Sequence, residues 1–104
     1  MRNGPEIDKP DILEVLKELL LRSINDQGVK VYLFGSWAKK TNKQSSDIDI
    51  GIWHPASPGP EFFVRLRNLV EESAIPYRVD IVDLVHADPG IRQNVLKEGI
   101  LWKD

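Results

Sequence analysis

The chain has 104 residues, 41% of them hydrophobic and 29% charged, with 14 Lys/Arg, 16 Asp/Glu and no cysteine. That length suits one domain over 1–104, the lack of cysteine excludes disulfides, thiolate metal sites and cysteine nucleophiles, and a net charge of −2 argues against direct nucleic-acid binding. No apolar run nears the ~20 residues of a membrane span and the N-terminus lacks a signal-peptide core, so a cytoplasmic location is expected.

Residues 1–9 are polar and expected to be loose. From Pro10, the residues Ile12, Leu13, Leu16, Leu19, Leu20 and Ile24 recur at three- and four-residue steps, the stripe of an amphipathic helix. Val29 to Phe34 is rich in β-branched and aromatic residues and predicts a strand, broken by Gly35-Ser36. A loop of small and basic residues follows, with room for a short helix beginning at Ser36. Asp47 to Trp53 alternates strictly and predicts a second strand. The stretch Pro55–Pro60 reads as a loop. Phe62, Phe63, Leu66, Leu69 and Val70 mark a helix, and Tyr77–Val85 predicts a third strand. Asp88-Pro89 opens a last helix by a cap-then-proline pattern, with Ile91, Val95 and Leu96 turned inward and Gly99 closing it. The fold expected is α+β: a small mixed sheet of three or more strands flanked by helices.

The chemistry concentrates on the second strand. Side chains alternate along a strand, so Asp47 and Asp49 share one face while Ile48, Ile50 and Ile52 share the other. Paired carboxylates repel unless a cation lies between them, and oxygen ligands suit a hard ion such as Mg²⁺. Alone, such a triplet is also what two solvated aspartates look like. Gly35-Ser36 permits a tight turn and close approach of a ligand to the backbone, with amide groups that attract phosphate. Lys39, Lys40 and Lys43 form a local basic cluster beside it. Asp80 and Asp83, on the third strand, point to opposite faces by parity. His54 and His86 both follow strands and read as loop residues rather than ligands. For Trp37, packing is the simplest role.

Gly35-Ser36, ten intervening residues (37 to 46) and Asp47-Ile48-Asp49 together resemble the G-S-x10-D-x-D signature of minimal nucleotidyltransferases. These are the smallest members of the DNA polymerase β-like superfamily. Leu33–Ala38 and Ser46–Ile50 are similar to the family's L-F-G-S-x-A and S-D-I-D-L segments. Pro76–Leu84 is similar to its third strand, and Ile91–Leu101 to its C-terminal ending.

The resemblance implies the polymerase β-like nucleotidyltransferase fold, with Asp47, Asp49 and Asp80 as the catalytic carboxylates and ligands of Mg²⁺, as one ion or two. Asp80 matches the family's third carboxylate, and Asp83 is the other candidate. It implies that Gly35 and Ser36 bind the phosphates of ATP, with Lys39 and Lys40 as further nucleotide contacts. Members usually carry Arg after Gly-Ser and Gly four residues after the serine, where this chain has Trp37 and Lys40. The implied function is transfer of AMP to a hydroxyl, expected to be a tyrosine, of a HEPN-type helical partner, in the role of antitoxin. Two other readings use the same residues: a non-catalytic nucleotide- or partner-binding subunit, and a nucleotidyltransferase acting on an aminoglycoside-like small molecule.

Overall fold

The computed structural model describes residues 9–25, 28–43, 46–56 and 58–103. The loose segment expected at 1–9 falls outside them except for Lys9, which already begins a helix. The elements in chain order are α1 (Lys9–Ser23), β1 (Lys30–Phe34), α2 (Ser36–Lys39), β2 (Ile48–Trp53), α3 (Pro60–Glu71), β3 (Val79–Asp83), α4 (Pro89–Glu98) and β4 (Ile100–Lys103). The four strands form one sheet in the order β3-β2-β1-β4. β1 runs antiparallel to β2 and to β4, while β2 and β3 run parallel. α3 supplies the crossover that a parallel pair requires.

Register decides which residues share a face. Val31 lies opposite Ile52 and Leu33 opposite Ile50, and Ile50 is opposite Ile81 on the other side. These side chains form one apolar face, and the alternation of β2 predicts it. Ile48, Ile50 and Ile52 are fully buried there with Leu16 and Leu20 of α1 and Phe62, Phe63 and Leu66 of α3. This is the main core. The reverse face carries a smaller cluster in which Val95 of α4 and Leu84 pack on Tyr32. Gly51 makes room for it, since a Cβ there would come within 2.9 Å of Leu84.

Several sequence expectations change in detail. β3 is shorter than 77–85: it begins at Val79, and at its other end the Val85 amide donates to the Asp83 side chain instead of continuing the ladder (3.1 Å). Ile91 and Leu96 do not turn inward; each is about half exposed, and Val95 alone of the three is buried. Asp88 does cap α4, accepting from the Gly90 amide at 3.4 Å. Gly99 ends the helix with ordinary φ, and its need is close approach: a Cβ would meet the Val95 and Leu33 carbonyls at 2.6 and 3.2 Å. The fourth strand, which follows at once, is an addition to the three read from sequence.

Candidate active site

Three carboxylates gather at one end of the reverse face. Phe34 lies opposite Asp49, and Asp49 lies opposite Asp80 across the parallel pair. Asp47 immediately precedes β2, is exposed, and has the Arg78 Nε at 4.0 Å. An ion pair so open and so long contributes little. Burial, then the charges of Asp80 and Asp47, push the Asp49 carboxyl above its ordinary value of 3.8. Asp49 is thus repelled by both neighbouring carboxylates, and that repulsion is what a bound cation would relieve.

Gly35 closes the other side. Its φ of 76° and ψ of −155° lie in a region essentially reserved for glycine. A Cβ at this position would collide with the Asp49 carboxylate. Ser36 opens α2 as its first residue rather than as its cap, and the Gly35 carbonyl accepts from the Ala38 and Lys39 amides, both at 3.1 Å. The earliest amides of a helix have no partner within it.

The two positions that depart from the family pattern have clear local roles. Trp37 is buried, packs edge-on against Tyr77 with ring centroids 5.0 Å apart, and donates from Nε1 to the Ser46 carbonyl at 3.2 Å. It thus ties α2 to the segment that leads into Asp47. Lys40 ends α2 in the left-handed region, at φ 62°, a conformation that favours glycine. Its side chain is exposed. Lys39 reaches across to α4 and pairs with Glu98 at 3.0 Å, both side chains half exposed.

A hollow of about 450 Å³ runs along the β3 edge, with Tyr77, Arg78 and Asp80 on its wall. A larger one of about 510 Å³ lies on the outer side of α3, near Val64 and Leu69, and none of the three carboxylates lines it. Asp83 takes no part in the carboxylate group. It lies opposite Ile52, on the α3 face, where His54 Nε2 and His86 Nδ1 contact its two oxygens at 2.9 and 2.8 Å. Both histidines do lie outside strands, but their convergence on Asp83 is missing from the sequence reading. The D-x-x-H spacing of Asp83 and His86 is its only local trace.

The donor set of Asp47, Asp49 and Asp80 is all oxygen and mutually repulsive, which fits Mg²⁺.

Residues 14–103 match the family model described as polymerase beta, nucleotidyltransferase. The chain is 32% identical over 92 residues to the probable protein adenylyltransferase MntA of Haemophilus influenzae, covering 86% of this chain and 76% of that protein. It is also similar to a solved minimal nucleotidyltransferase (TM-score 0.69, 27% identity, 93% of this chain and 98% of that one). A further similar structure is a toxin-antitoxin with AMP-PNP (TM-score 0.67, 27% identity, 83% and 71%). Among the described residues, no helix is long and apolar enough to cross a membrane.

Proposed function

Because the chain belongs to the polymerase beta nucleotidyltransferase family, we propose that it moves AMP from ATP, with Mg²⁺, onto a hydroxyl of a helical HEPN-type partner and so serves as an antitoxin. The acceptor hydroxyl is that of a tyrosine. The observation that carries this reading is the apposition of Asp49 and Asp80 across β2 and β3, beside a glycine turn that only glycine can form. Similarity to a protein adenylyltransferase and to a toxin-antitoxin bearing AMP-PNP supports it.

Asp47, Asp49 and Asp80 would hold Mg²⁺. When bound, the ion supplies charge neutralisation and alignment of phosphate oxygens. The chain's own groups do the rest. Gly35 and Ser36 bring backbone amides against the phosphates without an intervening side chain. Asp80, exposed on an edge strand, accepts the proton of the attacking hydroxyl. The hydroxyl oxygen bonds to the α-phosphorus as the bond to pyrophosphate breaks. Trp37 fixes the approach of Asp47 through Ser46. Lys39, which lines a hollow together with Gly35, and Lys40, exposed at the end of α2, would supply cations for the triphosphate.

The test is incubation of the protein with ATP, Mg²⁺ and a co-encoded helical protein, read as a mass gain of AMP on that protein. Wild type should label it and Asp47→Ala/Asp49→Ala should not, while both still bind it. Full silencing by the double variant without any mass gain would favour contact-only inhibition. The Lys39–Glu98 pair, which engages one of the two cations beside the turn, is the observation on that side.

A further inference from the structure

His54, Asp83 and His86 form a cluster separate from the carboxylates. The register sets Asp83 three residues beyond Asp80 on β3, about 10 Å along the strand, and on the opposite face of the sheet. One donor atom from each residue lies within 4.8 Å of the others. His54 follows β2, Asp83 ends β3, and His86 sits in the turn behind it.

We propose that these three residues are a second cation site, one that takes a borderline transition-metal ion of the Zn²⁺ class through His54 Nε2, His86 Nδ1 and an Asp83 oxygen. Two imidazoles and a carboxylate are the donor set such ions prefer, whereas Mg²⁺ prefers the all-oxygen group at the other end of β2. Three protein ligands leave a position for water.

The surroundings are arranged around those atoms. The His54 side chain is only 3% exposed, and among the described residues Nε2, toward Asp83, is its one partnered nitrogen, while Nδ1 is buried with no partner. The polar reason for burying this ring therefore lies at the cluster. Phe63 meets it edge-on with centroids 6.0 Å apart, which fixes its plane. The Val85 amide donates to Asp83 Oδ1 at 3.1 Å and orients the carboxylate, as supporting shells do around bound metals. Burial raises the Asp83 pKa, but hydrogen bonds from His86 and His54, the His54 charge and the Val85 amide together lower it below 3.8. His86, 70% exposed, forms the open wall through which an ion enters.

An ion there would clip the end of β2 to the end of β3, the two strands that set Asp49 against Asp80. Co²⁺ alone serves as a spectroscopic probe and Zn²⁺ alone as its competitor, added to the full chain. Wild type should give a one-to-one visible absorption of low-coordinate Co²⁺ that Zn²⁺ abolishes, with a rise in melting temperature on Zn²⁺ addition. Asp49→Asn should retain both signals. His86→Ala should lose the absorption and weaken Zn²⁺ binding at least tenfold, while melting like wild type in chelator because the side chain is exposed. Absence of the band in wild type, its survival in His86→Ala, or its loss in Asp49→Asn would each overturn the proposal. A failed AMP transfer would leave this result untouched, since the two sites share no residue.

Discussion

The space a Cβ would need at Gly35 is filled by the Asp49 carboxylate. The turn proposed for phosphate and the carboxylate proposed for the cation are thus in direct contact, and each limits what the other can become. Gly35→Ala should cost about 1–3 kcal/mol, because its φ and ψ lie where only glycine is unstrained, and also displace Asp49. Transfer should fall far more than stability does, as separate measurements of urea unfolding and of AMP transfer would show.

Asp49→Asn should move stability and activity in opposite directions. It removes a charge that Asp80 and Asp47 repel in a partly buried setting, so the metal-free protein should melt higher. Losing a ligand should lower transfer by about 10²-fold or more, given what charge stabilisation supplies in such reactions. Thermal melts in chelator and a labelled-ATP assay check the two halves.

The pH profile of the metal-free protein should carry two opposed contributions. The raised Asp49 pKa means the folded chain binds this proton more tightly than the unfolded one, so stability falls as pH rises from 3.8 through the raised value. The lowered Asp83 pKa acts the other way. Its contribution is complete above 3.8 and is lost as pH falls through the depressed folded value. Asp49→Asn should therefore flatten the decline above 3.8, and Asp83→Asn should be destabilised most at neutral pH. Urea midpoints across a pH series give both slopes.

Trp37 tests the loop anchor. Trp37→Ala empties a buried site and should cost about 3–5 kcal/mol. Trp37→Phe keeps a ring against Tyr77 but loses the bond to Ser46, and should cost about 1 kcal/mol. If anchoring sets Asp47, transfer by Trp37→Phe should fall by more than its small loss of stability accounts for.

Lys40 tests the backbone at the helix end. At φ 62° a lysine is strained where glycine is not, and Lys40→Gly should gain about 0.5–1 kcal/mol. The same variant should raise the KM for ATP if the lysine contributes charge at the turn.

Periodicity carried much of this fold on its own. Ile48, Ile50 and Ile52 declared their face, and the opposite parity of Asp49 followed from it. The pairing of Asp49 with Asp80 needed the register of β2 and β3, which no local pattern encodes. β4 was illegible for a similar reason: Ile100 and Leu101 are each about 45% exposed, and the strand exists because β1 offers an edge to it. Lys103 donates to the Val29 carbonyl at 3.2 Å from 74 positions away. The Lys39–Glu98 pair and the His54–Asp83–His86 cluster are likewise products of tertiary folding, each joining residues that are ordinary in their own segments.

The crossover through α3 has a kinetic consequence. β1 and β2 are near neighbours in sequence and can pair early, bringing Gly35 against Asp49. Asp80 comes 31 positions after Asp49 and joins only when α3 has docked and β3 has zipped onto the sheet edge. Loop closure of that kind is slow relative to local pairing. A refolding chain should therefore acquire its first hairpin before it acquires any capacity for transfer, and catalytic recovery reports the docking of β3 rather than that early pairing.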